Sequence, residues 1–178
     1  MRLKKEDEIM KKRESRMRFF QTHGFGPVYN ENSLILILGS FPSVKSREAG
    51  FYYGHPRNRF WPLIAALTGE NIPETIDEKR SLLLRNRIAL WDSVESCEIS
   101  GSSDSSIRNI TPVEITQVTS QCSLRKILCN GAVSHKYYNQ YLKPVTGIEA
   151  EKLPSTSPAN AAWSLERLKQ VWGAAMEV

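Results

Sequence analysis

Five aliphatic residues in succession, Leu34 to Leu38, stop at Gly39 and give way to a long polar loop. A run so short, apolar at every position and flanked by polar chain, predicts a strand covered on both faces. Three further short apolar runs follow: Ile88 to Trp91, Lys126 to Cys129 and Ile148 to Leu153. Helical patterns separate them, over Phe60 to Leu67, Asp77 to Arg85, Ala132 to Tyr141 and Leu165 to Met176. Thr111-Pro112-Val113-Glu114 has the form of a capping box with proline at the first helical position, and predicts one more helix. The last helix is expected to bury Leu165, Leu168, Val171, Trp172 and Ala175 on one face. Strands alternating with helices imply right-handed crossovers and an α/β fold. The expected architecture is a three-layer α/β/α sandwich around a central, mostly parallel four-stranded sheet.

In such folds ligands bind outside the carboxyl ends of the strands. The loop after the first strand carries Ser40, Ser43, Ser46, Tyr52, Tyr53, His55, Arg57, Asn58 and Arg59 before a helix starts near Phe60. That density of polar and aromatic chemistry exceeds what packing alone asks of a connection.

The rest of the chain narrows the function by exclusion. A length of 178 residues suits one domain with a single core. No apolar stretch approaches the roughly 20 residues of a membrane helix. The start Met1-Arg2-Leu3-Lys4-Lys5 lacks the apolar core of a secretion signal, so a cytoplasmic protein with no membrane partner is expected. Cys97, Cys122 and Cys129 are odd in number and form no Cys-x-x-Cys pair, which argues against disulfides, a zinc ribbon and a four-cysteine iron–sulfur cluster. His23, His55 and His135 have no acidic cluster beside them, so no metal is expected. Neither glycine-rich phosphate-binding fingerprint is present, and no cofactor is expected. The net charge is +5, yet residues 1–20 hold eight Lys/Arg against four Asp/Glu, which leaves the body nearly neutral. This segment reads as a basic helical piece, with Met10, Met17, Phe19 and Phe20 suggesting that its end docks on the body; a solvated charged face is the commoner role. Ser100 to Ser106 reads as a flexible surface loop.

Two stretches carry a resemblance. Gly39-Ser40-Phe41-Pro42-Ser43 after a strand, followed by Tyr53-Gly54-His55-Pro56-Arg57-Asn58-Arg59-Phe60-Trp61, resembles the first conserved region of the uracil-DNA glycosylase superfamily. Within it the closest likeness is to the deoxyinosine, or hypoxanthine-DNA, glycosylase branch. Leu153 to Asn160, with a helix beginning at Ser164 behind it, is similar to the family's second motif loop. The resemblance runs from residue 33 to residue 176. It implies one glycosylase-like domain over residues 21–178, acting as a monomer on DNA containing deaminated bases, chiefly hypoxanthine. The implied chemistry is hydrolysis of the glycosidic bond after base flipping.

By resemblance the catalytic asparagine is Asn58, and Tyr53 is the aromatic that stacks on the flipped base. The turn Gly39, Ser40, Phe41 and Pro42 lies against the base. Asp92, at the end of the second strand, falls where uracil-specific members read the base, and Asn130 ends the third strand at the same sheet edge. Phosphate contacts fall to Ser43, Lys45, Arg47, Arg57 and Arg59, while Ser155, Thr156, Ser157 and Asn160 of the second motif pinch the backbone. Three positions depart from the pattern. Phe41 stands where many members carry the Asp or Asn that activates water, Ser155 replaces a His or Asn, and the small Ala159 occupies the wedge position. The first two argue against uracil excision by the usual route, and the third implies weak insertion into the gap left by the flipped base.

Each assignment has a plainer alternative. Asn58 is also a preferred type for capping the helix near Phe60. Tyr53 could be a core residue, and Asp92 could cap the following helix rather than accept from the N1–H of hypoxanthine. Asn130-Gly131 could be a turn, and His55 could fix loop geometry rather than protonate a purine leaving group. Three rival functions stand beside the main one: a uracil or thymine mismatch glycosylase, a non-catalytic DNA-lesion binder, and an unrelated small-molecule α/β enzyme.

Overall fold

The computed structural model describes residues 17–177. Strands β1 (Phe19–Thr22) and β2 (Ile35–Gly39) come first, followed by helices α1 (Val44–Ala49), α2 (Phe60–Thr68) and α3 (Ile76–Arg85). Then come β3 (Ile88–Asp92), β4 (Val94–Ile99), β5 (Arg108–Pro112), α4 (Thr116–Thr119) and β6 (Lys126–Asn130). The order closes with α5 (Ala132–Tyr137), α6 (Lys143–Thr146), β7 (Ala150–Leu153) and α7 (Leu165–Met176).

The aliphatic run is β2, and all five of its residues are buried. It pairs in parallel with β3 on one side and β6 on the other, while β6 pairs in parallel with β7. The resulting sheet, in the order β3-β2-β6-β7, is the expected four-stranded one and is parallel throughout. Leu63 and Ile64 of α2, Leu82 and Leu83 of α3, and Leu168 and Trp172 of α7 join the strand residues in one core. Of the face expected on α7, Leu168, Trp172 and Ala175 are buried, but Val171 remains 37 % exposed. Because β3 and β6 flank β2 on opposite sides, the chain changes direction across the sheet at β2. That arrangement opens a crevice at the strands' carboxyl ends.

Four local expectations are corrected. A second, antiparallel sheet of order β1-β4-β5 stands beside the first. Only Ser93 separates β4 from β3, and irregular register around Ser96 disturbs the two-residue alternation that marks a strand. Thr111 and Pro112 belong to β5, paired with Ser96 and Val94, rather than to a helix start. Proline, with no N–H to donate, is tolerated there at the end of an edge strand. A reciprocal capping box forms instead at α3, where the Glu78 N–H donates to Thr75 Oγ1 at 3.2 Å and the Thr75 N–H to Glu78 Oε2 at 3.0 Å. The serine-rich stretch closes into a 3₁₀ turn, Asp104–Ser106. Finally, the helix expected over residues 1–20 lies outside the described residues up to Arg16; Phe19 and Phe20 are strand residues, both exposed, and the boundary expected after residue 20 falls inside β1.

Candidate active site

A cavity of about 280 Å³ opens where β2, β3 and β6 end. The final residues of these strands, Gly39, Asp92 and Asn130, all line it. Gly39 is required by contact: a Cβ there would stand 2.1 Å from Asp92 Oδ1. The turn that follows adds Ser40, Phe41, Pro42 and Ser43, and the Ser43 hydroxyl accepts from the Ser46 N–H at 3.2 Å to cap α1. Tyr53, His55 and Asn58 enter from the long loop, with Lys45 at the rim, and Ser155, Thr156 and Ser157 close the opposite side. Almost all of the residues singled out in the sequence are thus brought together.

Arg47, Arg57 and Asn160 do not line the cavity. Arg47 donates from Nη1 to the Pro42 carbonyl at 2.6 Å and from Nη2 to the Gly101 carbonyl at 3.3 Å, so it ties two loops together. Asn160 donates to the Ser155 carbonyl at 2.9 Å and shapes the second-motif loop from within. Arg57 is exposed, and its N–H donates to His55 Nδ1 at 3.1 Å, which gives His55 a role in loop geometry. Arg59 turns inward. Its guanidinium donates to the carbonyls of Thr156, Ser157, Asn160 and Trp163, and its own N–H to Thr156 at 3.1 Å.

Tyr53 holds a left-handed backbone conformation, φ 53°, which is costly for a bulky residue and concentrates at functional sites. Its ring stacks on Phe60 at 4.0 Å between centroids with 26° between planes. Burial raises its phenol well above the ordinary value, with the charge of Asp92 adding to the effect, so it stays protonated.

A network knits the two motifs. Asn130 Nδ2 donates to Tyr53 Oη at 3.0 Å and to Thr156 Oγ1 at 2.9 Å, while Asn130 Oδ1 accepts from the Thr156 N–H at 3.0 Å. Asn130 is therefore fully engaged and has no amide proton left for a base. Thr156 Oγ1 donates in turn to Asn58 Oδ1 at 2.9 Å. That same oxygen accepts from the Phe60 N–H at 3.0 Å, which only an oxygen can do, so the orientation of the Asn58 amide is fixed. Asn58 thus holds the first N–H of α2 from the position before the N-cap residue Arg59, and its Nδ2 is left as a donor at the cavity.

Behind the cavity lies a residue that sequence reasoning passed over. His23, 1 % exposed, holds Asp92 Oδ2 at 2.8 Å through Nε2. Its Nδ1 stands 2.6 Å from the Phe25 carbonyl, which can only accept, so Nδ1 carries a proton. Burial pushes the imidazole pKa down, but the hydrogen bond and charge of Asp92, together with the Phe25 carbonyl, outweigh it and raise the pKa. The ring packs among Phe25, Tyr52 and Phe41, at 4.5, 5.7 and 6.3 Å between centroids. Sixty-nine residues separate His23 from Asp92, and no spacing in the sequence links them. A second overlooked group is Asp104, which lines the cavity from the 3₁₀ turn and accepts from Ser40 Oγ at 2.9 Å. Among the described residues, no group of three or more His, Cys, Asp or Glu is placed to hold a metal ion.

A family model for the uracil DNA glycosylase superfamily matches residues 27–176. The chain belongs to that superfamily. Two curated relatives agree in kind. A Methanosarcina acetivorans protein named hypoxanthine DNA glycosylase is 36 % identical over 145 residues, covering 81 % of this chain and 91 % of its own. One of the same name from Methanosarcina barkeri is 35 % identical over 156 residues, covering 86 % and 97 %. The solution NMR structure of a Methanosarcina acetivorans protein provisionally designated a uracil DNA glycosylase superposes with a TM-score of 0.75 at 36 % identity. It covers 89 % of this chain and 97 % of that one. In this superfamily member the first-motif turn presents an aromatic ring, Phe41, which is 7 % exposed and packed on His23, so the turn brings no acidic or amide side chain of its own.

Proposed function

We propose that this protein is a monofunctional DNA glycosylase that hydrolyses the N-glycosidic bond of deaminated bases, hypoxanthine foremost. The observation that carries the reading is Asp92, an acceptor-only carboxylate fixed by His23 at the end of β3 inside a cavity bounded by Tyr53. Hypoxanthine offers an N1–H to such an acceptor. Adenine, its undeaminated parent, offers an unprotonated N1 there and meets repulsion between lone pairs. The names of the two relatives point the same way.

On this reading the flipped nucleotide enters past the rim, and the base stacks beside Tyr53 with its N1–H on Asp92. Backbone amides of the Gly39–Ser43 turn face the charge that develops on the base. Asn58 donates from Nδ2 to hold the water near C1′, since its oxygen is already engaged by Phe60 and Thr156. Lys45, exposed at the rim, meets a flanking phosphate.

The test is single-turnover cleavage of labelled duplexes carrying hypoxanthine, uracil, xanthine or a G:T mismatch, with alkali revealing abasic sites. Hypoxanthine release is expected, and Asn58→Ala should abolish it. Uracil release that survives the substitution would place the chemistry elsewhere, and base-dependent binding without cleavage would make the protein a lesion binder.

A further inference from the structure

Hydrolysis needs a group that accepts the proton of the attacking water, and the first-motif turn supplies none. Phe41 fills the position with an apolar ring, and the one free function of Asn58 is a donor. The cavity is lined by two carboxylates. Asp92 lies deep, 4 % exposed, with Oδ2 held by His23 and Oδ1 against Gly39, where it suits the base edge. Asp104 is half-buried and lines the same cavity, with one oxygen on Ser40 of the first-motif turn and the other unengaged by any described hydrogen bond. Its loop is fixed from both ends. The Val44 N–H donates to Ser102 Oγ at 2.9 Å, the Ser100 N–H to Ser106 Oγ at 2.9 Å, and Arg47 to the Gly101 carbonyl.

From this placement we infer that Asp104 is the general base of the reaction, supplying from the serine-rich loop the carboxylate that the first motif lacks. The inference rests on the glycosylase reading above. Water held by Asn58 Nδ2 adds through oxygen to C1′ while its proton passes to Asp104. The electron pair of the C1′–N9 bond leaves with the base, which takes a proton from solvent. Asp104 returns its own proton to solvent when the product departs. The surroundings tune the carboxylate for proton transfer, since burial raises the Asp104 pKa, the Ser40 bond partly offsets this, and the charge of Asp92 raises it further. The ionisable groups that surround it are Asp92 on β3, Tyr53 on the long loop, Cys97 on β4 and Tyr137 on α5, with Lys45 and His55 lining the same cavity.

Asp104→Asn is nearly isosteric and still accepts from Ser40, so it removes the charge and keeps the loop's anchor. Single-turnover release of hypoxanthine should fall roughly 100-fold or more, with affinity for the hypoxanthine duplex retained. In wild type, log rate should rise with pH through the Asp104 ionisation and then level. In Asp104→Asn that acid limb should vanish, and Asp104→Glu should restore part of both rate and limb. A rate within threefold of wild type, or a loss that keeps the wild-type acid limb, overturns the assignment while leaving the glycosylase reading intact. Failure of wild type to cleave any substrate overturns both.

Discussion

At the scale of single residues, the molecule is organised by which lone pairs and protons are already engaged. Asn58 shows the point: its type and position suggested either a helix cap or a catalytic amide, and its oxygen takes the first N–H of α2 while the residue lines the cavity, one place before the N-cap residue Arg59. Its position was legible because a short motif carries it; the polarity of its amide was not, because that depends on Thr156, 98 residues away. His23 is the counterpart that local sequence could not reveal. Its folded pKa is raised, so folding binds its proton more tightly than the unfolded chain does. The stability this confers is complete below the ordinary imidazole value of 6.5 and is lost as pH climbs through the raised value. Urea unfolding between pH 6 and pH 9 should therefore show a fall in stability with pH. In His23→Gln, which can still donate to Asp92 but does not titrate, that part of the slope should disappear.

At the scale of elements, β2, β3 and β6 were readable because a fully buried parallel strand is apolar along its length, whichever face is considered. β4 and β5 were not. Irregular pairing breaks the alternation of one, and the other, Arg-Asn-Ile-Thr-Pro, carries the very residues that advertise a helix start. The serine-rich stretch misled for a related reason: composition alone cannot distinguish a mobile loop from one whose hydroxyls hydrogen-bond to one another and to their neighbours. The second-motif loop depends on Arg59, whose guanidinium serves four carbonyls and no carboxylate. Arg59→Ala takes the side-chain donor from all four carbonyls. Those of Thr156, Ser157 and Asn160 keep the backbone N–H groups of Arg59, Asn160 and Trp163, while that of Trp163 is left without a described protein donor. The substitution should cost about 2–4 kcal/mol in denaturant unfolding and should weaken DNA binding as the loop loses its seat. Unchanged unfolding with normal binding would show the clamp to be dispensable.

At the scale of the whole molecule, acidic and basic residues nearly balance: the net charge is +5, most of it in residues 1–20. On the proposed function, phosphate contacts come from a local patch of cations or from the basic segment 1–20. Lys45 lines the cavity rim and Arg57 is exposed on the loop beside it. Fluorescence anisotropy across a salt series should give a log–log slope that flattens by about 1 for Lys45→Ala and by about 1 more when Arg57→Ala is added. Slopes that do not change would show that neither side chain meets a phosphate. The clamped loop has a kinetic counterpart. Its tip carries only Ala159, and its base is seated by Arg59 and by Trp172, whose indole donates to the Pro154 carbonyl at 3.0 Å. On the proposed function, so small a side chain at the wedge position inserts weakly into the gap left by the flipped base. The clock of lesion search would then be the breathing of the DNA itself, and weakly paired bases would be caught first because they spend the longest time outside the stack.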